Sequence, residues 1–286
     1  MKPDQATDKL PRRNFLAQTG LAATGLGIGA VGLSAALQAG ESEDKTAPEW
    51  PWPYKELDVE LVRKRGHKYY YEGGCMYGSS GGLLSVLIDE IGYPYATFPH
   101  DMMRYGGGGI AGWGTVCGSL NGACAIITLV SGKAYGKITN ELMAWYGTTP
   151  FPSDKANHYA TNHDYLVEKY KTDAVLPTTV SGSPLCHVSV NTWCREAGFA
   201  SGSPQRAERC ARLTGDVAAK AAELLNANLR GELVTGEFEK SECMSCHFMG
   251  ENYDSGQFIL GKGTKCTECH GEDPHLGSDR KRECGS

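Results

Sequence analysis

Cys243, Cys246 and His247 form a C-x-x-C-H cassette near the C-terminus, and Cys266, Cys269 and His270 form a second. Each joins two thiols to an adjacent imidazole, the residue set that attaches a c-type haem. The thiols add to the two vinyl groups of the porphyrin, and the histidine reaches the iron from one face. Zinc is the rival chemistry, because paired cysteines also build tetrahedral structural sites. A four-cysteine zinc site has no use for a histidine after each pair. A thioredoxin-like dithiol should follow a strand and open a helix. The double cassette therefore predicts two covalently held haems, with His247 and His270 as proximal ligands.

Four of the 11 cysteines are assigned in this way. Cys75, Cys117, Cys124, Cys186, Cys194, Cys210 and Cys284 are left over. Cys117 and Cys124 are two helical turns apart, about 10.5 Å along an axis, too far for both to bind one small cluster. The same limit holds for Cys186 and Cys194 if one helix contains both. One ligand from each pair, with Cys75 and Cys210, makes the four thiolates of an iron–sulfur cluster held between helices. The candidate ligands are thus Cys75, Cys117, Cys186, Cys194 and Cys210, with a two-iron cluster favoured. Buried free thiols in a small-residue core, or disulfides in an exported chain, are the alternatives.

The second axial position of each haem can be histidine, methionine or open to substrate. Beyond the cassettes stand His67, His100, His158, His163, His187 and His275. His275 is too near His270 to reach the same iron, but it can reach a neighbouring or dimer-related haem. His187 sits beside a candidate cluster cysteine. These two are the first distal candidates, followed by His163 and His158. Met244 and Met249 lie too close to a proximal site.

The N-terminus reads as a processing signal. Arg12-Arg13-Asn14-Phe15-Leu16 precedes a glycine-dotted apolar run to Leu37, with Leu37-Gln38-Ala39 as the cleavage end. The pattern resembles a twin-arginine export signal and predicts a periplasmic protein. A membrane anchor is the alternative, but the run is short and contains Gly25, Gly27, Gly29 and Gly32. That route carries folded proteins, whereas haem c is attached after export. The signal therefore hints at a second, pre-loaded cofactor. The whole chain has 28 basic and 33 acidic residues. Losing residues 1–39 removes four basic and two acidic residues, leaving a net charge of −7 before haem propionates. Nucleic-acid binding wants a basic footprint and is disfavoured.

The elements that must position these groups are helical. The pattern predicts a mainly α protein, with a helical domain over 40–235 and a small irregular dihaem c domain over 236–286. The Pro- and Trp-rich stretch 40–60 reads as an extended arm packed on a neighbour or a second subunit. Helices are predicted over Leu83–Ile91, Gly114–Val130, Lys137–Tyr146, around Tyr165–Tyr170, Val188–Ala197 and Pro204–Leu229. The glycine-rich turn Tyr105–Gly109 lacks the Lys and Ser/Thr of a phosphate loop, so it predicts close backbone approach to a cofactor or a packed helix.

Taken together, the double cassette, Cys75, the Gly107-Gly108-Gly109 turn, Cys117-Gly118 with Gly122, Cys186 and Cys210 resemble the split-Soret cytochromes c of sulfate-reducing bacteria. The resemblance covers the whole chain, and residues 75–210 resemble the wider C_GCAxxG_C_C redox-active family. Ser119 stands where alanine is usual, and Cys124 and Cys194 are additions. The resemblance implies a homodimer with two bis-histidine haems per subunit, stacked nearly parallel. It also implies an axial ligand crossing from the other subunit and an iron–sulfur centre in the helical domain. The function expected is outer-sphere electron transfer, with polypeptide work limited to positioning and potential tuning. A small haem-dependent reductase with one open axial position is the alternative.

Overall fold

The computed structural model describes residues 48–236. Both C-x-x-C-H cassettes, His275, Cys284 and the N-terminal signal lie outside the described residues. The described chain is mainly α-helical. Six α-helices follow in order, α1 Val59–Ile91, α2 Gly118–Ser131, α3 Tyr135–Thr148, α4 Asp154–Thr161, α5 Cys186–Ala197 and α6 Pro204–Leu229. Pro150–Phe151 and Thr179–Val180 add a two-residue antiparallel pair.

Local chemistry sets the helix starts. The Asp58 carboxylate accepts from the backbone N–H of Glu60 and Leu61 at the head of α1. Ser153 caps α4, and Ser203 caps α6 with Pro204 in the first turn. Such caps satisfy amide donors that the helix itself leaves unpaired. The α6 boundaries match the sequence expectation because cap, proline and apolar periodicity all agree.

Helix α1 corrects the expectation most. It begins at Val59, far upstream of the predicted Leu83, and ends at Gly92 as expected. Glycines in its middle weaken helix propensity and hid the first two thirds. Gly74 interrupts it with φ 83° and ψ −167°, a kink directly before Cys75. A left-handed φ of this kind favours glycine. The helix predicted around Tyr165–Tyr170 is absent. The helix in that region is α4, and His163 follows it at φ 58°. Side chains then replace the helical ladder, with the Tyr170 hydroxyl accepting from the Tyr165 amide at 3.0 Å.

Helix α1 runs against α6, and α2 packs across both. Val62, Leu83 and Leu87 of α1 meet Leu120, Ile126 and Ile127 of α2, with Val217, Ala218, Ala221 and Ala222 from α6. Full burial of each larger aliphatic side chain contributes roughly 1.5–3 kcal/mol. The arm packs on its own chain. Trp52 donates its amide to Leu129 O at 2.9 Å and sets its ring edge-on to Tyr95. No helix among the described residues is long and apolar enough to cross a membrane.

Candidate metal centre

Four cysteines from four elements converge beside the α1 kink. Cys75 follows Gly74 in α1, Cys117 is the N-cap of α2, Cys186 opens α5 and Cys210 lies in α6. Two backbone strokes bring Cys117 and Cys186 together. The Cys117 amide donates to Pro184 O at 2.9 Å, and the Cys186 amide donates to Thr115 O at 2.7 Å. An antiparallel bridge between Val116 and Leu185 lies inside that pair. Both residues also stand at helix N-termini, where the partial positive charge favours a thiolate.

The thiols influence one another. Burial pushes the Cys75 thiol up, and Cys210, Cys117 and Cys186 push it further. The Gly108 backbone N–H opposes this by hydrogen bonding to Cys75, so the glycine-rich turn does approach the centre. Burial, then Cys117 and Cys210, push Cys186 up to about 12. Cys117 and Cys210 are buried, while Cys75 and Cys186 keep some exposure. The remaining pair members behave differently. Cys124 faces Thr139, and its burial raises it to about 11. Cys194 is raised mainly by burial and feels only Cys210 among the thiols.

Two arginines and two tyrosines complete the surroundings. Arg206 and Arg209 both reach the Cys210 thiol, and Arg209 also acts on Cys117. Tyr146, fully buried, neighbours Cys117 and donates to Ser189 Oγ at 3.0 Å. Tyr70 sits against Cys210 and Cys75, and burial followed by these thiols pushes its phenol up. The cysteine spacing did not reveal these four. One signal was available, since Arg206 precedes Cys210 by one helical turn and therefore shares its face.

The described histidines divide by environment. His67 is fully buried, with Nε2 at 2.9 Å from Glu208 and its ring stacked on Tyr165. His100 stacks on Tyr77 and donates Nε2–H to Tyr77 O at 3.1 Å. His158 faces Asn162 on the surface, and His163 meets Asp173 at 3.2 Å. His187 is exposed, with Nδ1 at 2.9 Å from Gly114 O. A carbonyl only accepts, so Nδ1 carries the proton and the Nε2 lone pair faces outward from that bond. Trp113, beside Gly114, is 82% exposed.

Among the described residues, no group of three or more His, Cys, Asp and Glu side chains is arranged to hold a metal ion.

Comparison with known proteins adds a second line. The redox-active family C_GCAxxG_C_C matches residues 77–224. Split-Soret cytochrome c of Desulfovibrio desulfuricans is 35% identical over 274 residues, covering 91% of this chain and 94% of that protein. This chain belongs to the split-Soret cytochrome c family. A solved structure of split-Soret cytochrome c from the same species, described for a novel iron centre, superposes with a TM-score of 0.64. It is 34% identical and covers 77% of this chain and 90% of that one.

Proposed function

We propose that the chain is a periplasmic electron-transfer protein carrying two bis-histidine c-type haems and an iron–sulfur centre. The observation that supports the second centre is the convergence of Cys75, Cys117, Cys186 and Cys210 from four elements, close enough to influence one another's thiols. The donor set fits the group: four thiols, two helix N-termini and two arginines favour thiolate ligands. A sulfide-bridged cluster is larger than a single ion, and its thiolates stand farther apart than those around one metal. The iron centre of the similar solved structure supports the same reading.

Cys243, Cys246, Cys266 and Cys269 would hold the haems, with His247 and His270 as proximal ligands. His187 is the distal candidate on the described surface, since its Nδ1–H is engaged by Gly114 O and its Nε2 is left for iron. His275 is the second candidate. Met102, Tyr105, Ile110 and Trp113 expose apolar surface on the turn that leads to Gly114, which suits coverage by a second subunit. Bound haem and iron–sulfur groups supply one-electron chemistry. The polypeptide positions them, excludes water and sets their charge environment.

The test is chemical analysis of exported holoprotein. Two haems per chain by pyridine haemochrome and acid-labile sulfide with further iron are expected. C124S and C194S should keep the sulfide, whereas C75S, C117S, C186S and C210S should lose it. Two irons per chain without sulfide would exclude the cluster. Complete, rapid carbon monoxide binding at both ferrous haems would exclude a pure electron carrier.

A further inference from the structure

We infer that Arg209 is the built-in counter-cation of the four-cysteine centre, a positioning residue whose fixed charge sets the centre's reduction potential. The inference rests on the iron–sulfur reading and adds to it a residue outside the ligand set.

Three arginines are buried in the packing of α1 and α6, namely Arg63, Arg209 and Arg212. Arg63 pairs with Asp216. Arg212 pairs with Glu208 at 3.2 Å and also donates to Asn157, Ala174 O and Thr172 O. Arg209 differs from both. It is 1% exposed, and its Nη2 donates to Ser189 Oγ at 2.9 Å. Its Nε has no hydrogen-bond partner, and no carboxylate among the described residues lies within ion-pair distance of it.

Burying a guanidinium without an anion is strongly unfavourable, so a native core that retains one supplies the charge elsewhere. The anion at hand is the cysteine set. Arg209 precedes Cys210 in α6, and its charge acts on Cys210 and Cys117. Tyr146 donates to the same Ser189 oxygen, which pins the guanidinium between α5 and α6. Arg206 also reaches Cys210, but it is less buried and donates Nε to Ser201 O, so solvent screens it more. Arg209 is the unscreened charge.

The direction follows from Coulomb's law. Reduction adds one electron, iron(III) becoming iron(II), with no bond made or broken. The reduced centre is more negative by one charge. A fixed cation beside it stabilises that state more than the oxidised one and raises the potential.

The experiment is a mediated dithionite titration of exported holoprotein, with the centre followed by EPR and the haems followed optically as internal control. In R209M the reduction equilibrium of the centre should shift about tenfold toward the oxidised state, about 59 mV for one electron. R209K should restore most of that shift, and the haem potentials should hardly move. A loaded R209M centre with the wild-type potential would overturn the inference. If R209M fails to load while R209K loads, the counter-charge role is supported. If neither loads, side-chain shape rather than charge matters, and the inference fails. Wild-type protein without sulfide would overturn the iron–sulfur reading itself, and this inference with it, before any variant is made.

Discussion

At the scale of single residues, the buried polar cluster beside the cysteines is as constrained as the centre. Glu208 is fully buried and is shared by His67, Tyr71 and Arg212. Burial pushes its carboxyl up, but the His67 hydrogen bond and the surrounding positive charge hold it below its ordinary value. His67 donates Nε2–H to this carboxylate, and Arg212 adds its charge on the other side. Burial correspondingly lowers His67 below its ordinary value of 6.5. The sign is then fixed. As pH falls below 6.5 the unfolded chain protonates at His67 while the folded chain does not, so stability declines. The Glu208 contribution is lost further down, as pH passes through its depressed folded value. Urea midpoints should therefore fall between pH 7.5 and pH 5.5, and H67F should flatten that dependence. E208Q leaves Arg212 buried without its anion and should cost about 3 kcal/mol, read as a lower urea midpoint with unchanged slope.

At the scale of elements, α2 reaches the centre because it can lie almost on the backbone of α1. Gly118 and Gly122 make this possible. A Cβ on Gly118 would overlap Gly106 O and come within 3.0 Å of Cys75 Cβ. A Cβ on Gly122 would overlap Met76 O and Ser79 Oγ. Overpacking of this kind costs about 1–3 kcal/mol. Both G118A and G122A should lower the thermal midpoint, and G118A should also lose sulfide because it displaces Cys75. Equal sulfide in both variants would show that the Cys75 position tolerates the shift. The element scale also shows why the long α1 was hard to read. Its glycines depress helix propensity, and tertiary packing against α6 makes up the difference. The stretch from Tyr165 to Tyr170 fails in the opposite sense. Its apolar and aromatic residues suggest a helix, but they serve the pocket of His67 and Tyr165 instead.

At the scale of the whole molecule, the exported holoprotein should sediment as a dimer. Dilution that separates the subunits should convert part of the low-spin haem spectrum to high spin, because a distal histidine from the partner would be withdrawn. A monomer with an unchanged low-spin spectrum would place both axial ligands within one chain. H187A tests the same contact from this surface, and it should raise the high-spin fraction without altering haem content.

Family and electron-transfer chemistry were legible in the residues themselves. Two C-x-x-C-H cassettes need no fold to be recognised, because their chemistry is local in sequence. Helical spacing similarly ruled out joint use of Cys117 with Cys124, or of Cys186 with Cys194. Only the tertiary structure decided between the members of each pair as neighbours of Cys75 and Cys210. Cys117 and Cys186 meet through backbone bonds between 115–117 and 184–186, segments far apart in the chain. Nor could spacing reveal that Arg209 has no carboxylate partner among the described residues while Arg212, on the same helix, has one. Such partnerships depend on which helix faces fold against one another, and that is a property of the packed chain.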